Sequence, residues 1–230
     1  MNIVIGIPAM DSVSTSFFAS IVNQQYMDGH KYSYAIEVGS LVYNARGRIA
    51  QRALEMGADY LIMYDSDMVL RPETTVQLIE ALEGDMPYPV RERHPKDFVT
   101  GLYFNRRLPT RPQIVKSMDW YMDDVLGAQE FVETYEDYPR GEVFEVAGCG
   151  FGCCIMRTDM LKDLTIRYKG NPFTPMPRLG EDYSFCYRAN LAGYKLFCDS
   201  RILPGHAGLH IYNQSDWDRQ KEENANGQPE

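Results

Sequence analysis

Short apolar runs alternate with amphipathic segments of helical length along the first part of the chain. Runs such as NIVIGIP and ADYLIMYD have the length and composition of buried strands, whereas NARGRIAQRALEMG and PETTVQLIEALEG repeat apolar residues at helical spacing. Gly57 follows one predicted helix and Pro72 begins another, as is typical of helix ends. The pattern predicts an α/β fold with a mostly parallel central sheet flanked by helices.

The second part of the chain is less regular. Residues 84–95 are rich in proline and charge, which predicts a surface loop, and residues 118–140 are acidic and aromatic with weak periodicity, which predicts an excursion from the sheet. A glycine-dotted apolar segment, a helical YSFCYRANLAG and a strand YKLFCDS follow. We expect one domain over residues 1–212 and a polar, frayed tail over residues 213–230.

Composition limits the location and the partners of the protein. The chain has 230 residues and a formal net charge of −9 at pH 7. It holds no apolar run near the roughly 18 residues that a membrane span requires. Its N-terminus has no basic segment before NIVIGIP, so we expect no signal peptide and a cytoplasmic location. The charge makes polymeric nucleic acid an unlikely partner, although a local basic group could still bind phosphates. The arginines of that group are Arg91, Arg93, Arg106, Arg107 and Arg111.

The five cysteines favour buried, reduced thiols, because they are odd in number and several fall in strand-like segments. Cys149, Cys153 and Cys154 lie close together in the sequence. No Cys-x-x-Cys or His-x-x-x-His pair completes a zinc site around them, so structural zinc is disfavoured.

Two carboxylates one residue apart, Asp65 and Asp67, follow the apolar run YLIMY. In an extended strand, residues two apart project to the same side, so the two carboxylates would converge on one point. Open α/β sheets bind ligands at the carboxyl ends of their strands, and paired carboxylates there are costly unless a cation neutralises them. A divalent cation that bridges a diphosphate is the usual occupant. The alternative is a helix cap, but Pro72 places the next helix several residues further on.

Four segments of the chain resemble the GT-A type glycosyltransferases of the family 2 kind, and they occur in that family's order. They are the first strand ending in GIP, the block NARGRIAQRALEMGADYLIMYDSDM, the GED segment at residues 180–182 and the histidine of GHAG. The resemblance covers most of the chain. It implies a single Rossmann-like GT-A domain that transfers a sugar from a UDP- or GDP-linked donor to an acceptor hydroxyl.

The resemblance implies nucleotide-binding roles for residues near the start of the chain. Pro8 and Ala9 would lie beside the base and ribose of the donor. Asn44, Arg46 and Arg48 would border the donor pocket at the start of a helix, where an arginine can meet phosphate oxygens. The alternative for these three residues is an exposed, solvated helix face.

The resemblance also implies a Mn²⁺ or Mg²⁺ site. Asp65 would approach the ribose or the metal, Ser66 would share the donor site, and Asp67 would ligate the metal. The third ligand in such enzymes is often a histidine. His206 in LPGHAG matches that position best, with His210 as its competitor. A nitrogen ligand among oxygen ligands favours manganese over magnesium.

Asp182, with Glu181 as runner-up, is the catalytic base that the resemblance implies. In an inverting enzyme this carboxylate would take the proton of the acceptor hydroxyl, and the sequence leaves inversion and retention open. The GED segment also has the composition of a helix N-terminus, where carboxylates complement the helix dipole. Both interpretations can hold together, since a carboxylate fixed at a helix start is well positioned.

The glycines of VAGCGFGCC lie where the related enzymes line the donor, and they would permit close approach of the backbone to a ligand. No Gly-Lys-Ser or Gly-Lys-Thr follows them, which disfavours a P-loop NTPase. The acceptor stays open among a glycan, a protein and a modified nucleobase. Trp120, Tyr121 and Trp217 are candidates for stacking on it, unless they belong to the core.

Two other functions stay open. A sugar-phosphate nucleotidyltransferase has a similar sheet, but that class usually carries a Gly-rich loop with Arg and Lys after its first strand, which GIPAMDSVSTSF lacks. A non-catalytic scaffold that binds nucleotide sugars on the same fold is the second alternative.

Overall fold

The computed structural model describes residues 1–84, 96–208 and 210–226, and its first part alternates strands and helices as the hydrophobic pattern predicts. In chain order these elements are β1 (Asn2–Ala9), α1 (Thr15–Val22), β2 (Lys31–Val38), α2 (Val42–Glu55), β3 (Tyr60–Tyr64), β4 (Met68–Val69) and α3 (Thr74–Glu83). Gly57 lies just past α2 with φ of 63°, which confirms its predicted place at a helix end. The predicted loop lies outside the described residues from position 85 to 95, and with it Arg91 and Arg93.

The rest of the chain adds further strands and three helices within the described residues. In chain order they are β5 (Phe98–Gly101), β6 (Ile114–Asp123), β7 (Gly127–Thr134), β8 (Val143–Val146), β9 (Gly148–Cys149), β10 (Cys153–Arg157), α4 (Thr158–Arg167), α5 (Glu181–Leu191), β11 (Leu196–Asp199), β12 (Gly205–Ala207), β13 (Ile211–Tyr212) and α6 (Gln214–Asn226).

A seven-stranded sheet in the order β2-β1-β3-β10-β5-β11-β8 forms the centre of the described chain. Strands β2, β1, β3, β5 and β11 run in one direction, and β10 and β8 run against them. Alternate residues of β1 point to opposite faces: Ile3 and Ile5 pack in the cluster that contains Phe17 of α1 and Leu78 of α3, and Val4 packs in the cluster with α2, α4 and α5. Helices therefore cover both faces, which confirms the predicted α/β fold.

Helix α2 packs unusually close to β1. A Cβ on Gly6 would overlap the side chain of Ile49, so only glycine lets the helix approach the strand at this distance. Arg46 lies one turn before Ile49 on the same face of α2. The close packing therefore carries Arg46 toward the carboxyl ends of β1 and β3.

The predicted excursion from the sheet is a hairpin of β6 and β7. These two strands join β9 in a separate three-stranded sheet of order β7-β6-β9. Most side chains of the hairpin are at least partly exposed on both faces. The weak periodicity of this segment follows from that exposure, because a strand exposed on both faces needs no alternation of apolar and polar residues.

The C-terminal segment is helical in the structure, where the sequence predicts a polar, frayed tail. Residues Gln214–Asn226 form α6, and Trp217 anchors it with only 3% of its surface exposed. Its ring lies 6.4 Å from that of Phe104. Burial of one large aromatic side chain offsets the polar composition of the rest of the helix. No helix in the described part of the chain is long and apolar enough to cross a membrane.

Candidate active site

The chain turns sharply where β3 ends, so Asp65 and Asp67 face different partners. The backbone N–H of Met68 donates to the carbonyl oxygen of Asp65 at 3.1 Å, which closes a turn over residues 65–68. The prediction that the two carboxylates converge assumed an extended chain. The chain turns here instead, so the two side chains do not converge. Within the residues that the structure describes, no three His, Cys, Asp or Glu side chains are grouped so that they could hold a metal ion. All five cysteines are buried and free.

Arg46 of α2 is the cationic centre of a cluster of carboxylates. Its side chain is 3% exposed, and its Nη2 donates to Oδ1 and Oδ2 of Asp65 at 2.8 and 3.1 Å. Its Nη1 donates to Oε1 of Glu181 at 3.1 Å. Burial acts to lower the pKa of Arg46, but the charges of Asp65, Asp182 and Glu181 outweigh it and raise that pKa. Arg46 therefore stays charged and ties the end of β3 to the start of α5.

Asp182 lies in the first turn of α5, where its Oδ1 accepts a hydrogen bond from the backbone N–H of Tyr183 at 2.8 Å. Burial raises the pKa of Asp182 to about 6; Arg46 opposes the rise, and Glu181 and Asp65 add to it. A carboxyl group with this pKa can exchange its proton near neutral pH, as a general base must. The helix-start interpretation of the GED segment is confirmed, and the same residue carries a perturbed carboxyl group.

Asp67 and His206 face each other beside the short ladder between β4 and β12. The ladder pairs His206 with Met68, and the N–H of Ala207 donates to the carbonyl oxygen of Asp67 at 2.7 Å. Nδ1 of His206 donates to the carbonyl oxygen of Phe104 at 2.7 Å, because that oxygen can only accept. In the neutral ring, Nε2 then carries a lone pair, and it lies 3.5 Å from Oδ1 of Asp67. That oxygen is buried and has no hydrogen-bond partner among the described residues.

Two lone-pair atoms that face each other in this way need a cation between them. A proton on Nε2 or a divalent metal meets that need, and an imidazole nitrogen with a carboxylate oxygen suits Mn²⁺. Nη1 of Arg106 lies 2.7 Å from the other carboxylate oxygen of Asp67. Burial acts to raise the pKa of Asp67, yet His206 and Arg106 hold it below its ordinary value. Asp67 and His206 therefore fit a site with two protein ligands, while Asp65 is turned toward Arg46.

His210, the alternative ligand, lies apart from the carboxylates of β3. Its Nε2 lies 3.1 Å from Oδ1 of Asp216 at the start of α6, and Arg219 contacts the same carboxylate oxygen at 2.8 Å. The side chain of His210 is 57% exposed. The structure brings His206 and not His210 to Asp67.

A cavity of about 160 Å³ opens beside the turn that follows β3. It lies at the carboxyl ends of β1 and β3, where open α/β sheets bind their ligands. Five predicted nucleotide-binding residues line it: Pro8, Ala9, Asp65, Ser66 and Asp67. The structure thus gathers these five around one cavity. Its other lining residues are Met10, Ser40, Val42 and Ala45.

The three residues predicted from the start of α2 separate in the structure. None of the three lines the cavity, and Arg46 instead donates to the carboxylates of Asp65 and Glu181. The side chain of Arg48 is 61% exposed and lies 3.8 Å from Glu37, as an exposed helix face would place it. Ser40, just before α2, was not predicted. It lines the cavity, and its hydroxyl oxygen is buried without a hydrogen-bond partner among the described residues.

A larger cleft of about 740 Å³ lies on the other side of His206. Tyr183, which follows Asp182, lines it together with His206. Asp67 lines the smaller cavity and lies 3.5 Å from His206, so the two spaces meet at this pair. The remaining residues of the cleft are Asn105, Arg106, Arg107, Arg111, Pro112, Gln113, Val132, Thr134 and Gly208.

Tyr103 is a buried residue of this region that no sequence motif indicated. Its hydroxyl oxygen accepts a hydrogen bond from the N–H of Gly152 at 3.0 Å, and its ring meets that of His206 edge-on with centroids 5.5 Å apart. Burial raises the pKa of Tyr103 well above its ordinary value. A Cβ on Gly150 would overlap the Tyr103 hydroxyl. Gly150 and Gly152 thus make room for the side chain of Tyr103. The sequence had predicted that they make room for a ligand.

The aromatic residues predicted to stack on an acceptor are not gathered at the site. Trp217 belongs to the core under α6. Nε1 of Trp120 donates to the carbonyl oxygen of Pro177 at 2.9 Å. Tyr121 is 53% exposed on the hairpin of β6 and β7. The residues on the two sides of the Asp67–His206 pair are mostly polar or small instead.

Solved structures with this fold include the crystal structure of A197 from STIV, with a TM-score of 0.60 and 20% sequence identity over 90% of this chain and 86% of that chain. They also include CMP:2-keto-3-deoxy-manno-octonic acid synthetase complexed with CTP, with a TM-score of 0.50 and 12% identity over 99% of this chain and 100% of that chain. No protein-family model matches the chain, and no curated protein matches its sequence. At these identities the similarity shows the fold, and function has to be argued from the site.

Proposed function

We propose that this protein is a metal-dependent glycosyltransferase that moves a sugar from a nucleoside-diphosphate sugar to an acceptor hydroxyl. The pair formed by Asp67 and His206 carries the proposal. A buried carboxylate oxygen without a hydrogen-bond partner among the described residues lies 3.5 Å from an imidazole nitrogen, at the junction of a cavity and a larger cleft. A cation held there would meet both the donor and the acceptor.

The smaller cavity would hold the nucleoside of the donor. Pro8 and Ala9 would contact the base and ribose, and Asp65 and Ser66 would accept hydrogen bonds from ribose hydroxyls. Asp67 and His206 would hold Mn²⁺ or Mg²⁺, which when bound supplies a Lewis acid for the departing diphosphate.

Asp182 would act as the base on the acceptor side in an inverting reaction. The acceptor oxygen bonds to the anomeric carbon, the bond from that carbon to the diphosphate oxygen breaks, and the acceptor proton passes to a carboxylate oxygen of Asp182. Its pKa of about 6 suits this transfer, because the group is ionised at pH 7 and still basic enough to take a proton. Glu181 is the weaker candidate, since Nη1 of Arg46 already occupies one of its carboxylate oxygens.

Calorimetric titration with UDP, GDP, CDP and ADP, each with and without Mn²⁺, tests the proposal. We expect one nucleotide to bind in a metal-dependent way, and we expect Asp67→Asn to weaken that binding at least tenfold. Asp124→Asn, on the exposed turn after β6, is the matched control and should bind as the wild type does. Metal-independent binding that survives Asp67→Asn would favour a non-catalytic scaffold, and no binding of any nucleotide would overturn the proposal.

Nucleotidyl transfer is a second candidate, because the CTP-bound synthetase shares the fold of this chain. An enzyme of that kind would bind a nucleoside triphosphate and release pyrophosphate. The loop after β1, residues 10–14, carries neither Arg nor Lys to receive a triphosphate, which favours glycosyl transfer. Release of pyrophosphate from CTP or UTP with a sugar acid or sugar phosphate would decide for the second candidate.

A further inference from the structure

The arginines that line the larger cleft lie on one hydrogen-bonded segment of the chain. Residues 103–113 run out and back from the end of β5: the N–H of Asn105 donates to the carbonyl oxygen of Arg111 at 3.0 Å, and the N–H of Arg111 donates to Oδ1 of Asn105 at 3.0 Å. Arg106 and Arg107 lie at the outer end of this ribbon, and Arg111 lies on its return. The backbone pairing therefore places three arginines in the lining of one cleft.

The sign of the charge in this cleft is opposite to that of the whole protein. The chain carries a formal charge of −9, yet the lining residues include three arginines and His206 and no Asp or Glu among those that the structure describes. Arg106 pairs with Asp67. Arg107 and Arg111 have no ion pair with any described residue. Two unpaired guanidinium groups in a cleft attract an anion, and their planar forks match phosphate or carboxylate.

The position of the cleft indicates which substrate would bring that anion. The donor nucleoside fits the smaller cavity on the Asp67 side, whereas the cleft lies on the His206 side and is lined by Tyr183, directly after the proposed base Asp182. The acceptor is therefore assigned to this cleft, whose wall includes the residue next to Asp182 in the chain.

We infer that the acceptor carries an oxyanion, a phosphate or a carboxylate, close to the hydroxyl that is glycosylated, and that Arg107 and Arg111 bind it. The inference rests on the proposed glycosyltransferase function, since it names the substrate class of the same site. The cleft of about 740 Å³ has the volume of a small-molecule site. The acceptor is accordingly a small anionic molecule and not a polymer.

Binding of a matched pair of probes, glucose 6-phosphate and glucose, tests the inference by ligand-observed NMR, with and without saturating Mn²⁺ and the nucleotide that the protein binds. We expect the phosphate ester to bind at least tenfold more tightly than the neutral sugar. The double variant Arg107→Gln/Arg111→Gln should lose that preference, and the control Arg167→Gln/Lys195→Gln, which removes two exposed charges elsewhere, should keep it. Higher salt should weaken binding of the ester and leave that of glucose unchanged.

Each contrary result has a separate meaning. Equal binding of ester and sugar, or equal loss in the control variant, would overturn the inference while metal-dependent nucleotide binding kept the proposed function. Displacement of the ester by the nucleoside diphosphate would assign the arginines to the donor and overturn the acceptor assignment. If a single-stranded oligonucleotide bound to the same arginines more tightly than glucose 6-phosphate, the acceptor would be nucleic acid and the inference of a small acceptor would be wrong. Failure of the proposed function would appear instead as no metal-dependent nucleotide binding.

Discussion

Arg46, which is buried, and Asp65, which is partly exposed, form an ion pair in which one guanidinium nitrogen, Nη2, lies 2.8 and 3.1 Å from the two oxygens of the carboxylate. Glu181 shares the same guanidinium group, and Asp182 lies within its field. A single cation thus holds together three carboxylates from two distant parts of the chain. The fold can keep this much negative charge in one place only while that cation is present.

Replacement of Arg46 by methionine tests this dependence. The variant leaves Asp65, Glu181 and Asp182 near one another without their cation, so we expect a loss of about 3–5 kcal/mol in the free energy of unfolding at pH 7.5. The loss should shrink toward pH 4.5, because Asp182, whose pKa is raised to about 6, is then protonated and adds no negative charge. Urea unfolding at both values of pH measures it.

Arg48→Met is the matched control for this substitution. It removes the same charge two positions along α2, but the Arg48 side chain is 61% exposed and its partner Glu37 lies 3.8 Å away. We expect a change within about 0.5 kcal/mol. Equal losses in the two variants would show that helix α2, and not the carboxylate cluster, responds to the substitution.

Asp182→Asn should stabilise the protein at neutral pH. Because the pKa of Asp182 is raised to about 6 in the folded state, the folded protein holds this proton more tightly than the unfolded chain. The stability that this proton contributes is complete below the unfolded pKa of about 4 and is lost as pH rises through about 6. The variant should therefore gain about 1–3 kcal/mol over the wild type at pH 7.5 and close to none at pH 4. A difference that stays constant from pH 4 to pH 8 would contradict the raised pKa.

The parts of the fold that the sequence predicts are those set by local patterns. The periodicity of NIVIGIP and NARGRIAQRALEMG suffices for β1 and α2, and the order of motifs suffices to nominate Asp67 with His206. The side chain of Asp65 points away from Asp67 because the N–H of Met68 closes a turn over residues 65–68. So short a segment does not show from its sequence whether it forms a turn or continues as an extended strand. Its bond to Arg46 depends on the packing of Gly6 against Ile49, which only the tertiary structure shows.

Residues that reach the site through irregular chain were missed for a similar reason. Tyr103 follows β5 on a ribbon without motif or periodicity, whereas Arg106 on the same ribbon was named only as part of a basic group that could bind phosphates. The only sequence signal for Tyr103 was indirect. Gly150 and Gly152 indicate that another group packs closely against the backbone, and in the structure that group is the Tyr103 side chain. Helix α6 was missed because its composition is polar and one residue, Trp217, provides most of its burial.

Gly150→Ala should test the packing of Tyr103. The added Cβ would overlap the Tyr103 hydroxyl, so we expect the substitution to cost about 1–3 kcal/mol. Tyr103→Phe alone leaves the N–H of Gly152 without its acceptor and should cost about 1–2 kcal/mol. The double variant should cost less than the sum of the two, because removal of the hydroxyl relieves the overlap. Strict additivity in thermal or urea unfolding would show that the two residues do not touch.

Trp217→Ala should destabilise the whole domain. The ring is 3% exposed and packs near Phe104, next to the carbonyl group that orients His206, so its loss should cost about 3–5 kcal/mol. Tyr121→Ala is the control, since Tyr121 is 53% exposed, and it should change stability by no more than about 0.5 kcal/mol. No change in stability for Trp217→Ala would indicate that α6 is not anchored to the domain, as expected for the frayed tail that the sequence predicts.

His206→Asn should weaken Mn²⁺ binding, measured by electron paramagnetic resonance of the free ion. The bond from Nδ1 to the carbonyl oxygen of Phe104 leaves Nε2 as the donor atom toward Asp67, and loss of one of two protein ligands should reduce affinity about 10- to 100-fold. His210→Asn is the control, because His210 pairs with Asp216 away from the carboxylates of β3. If both variants bound Mn²⁺ like the wild type, the contact between His206 and Asp67 would have to be an ion pair with a protonated ring.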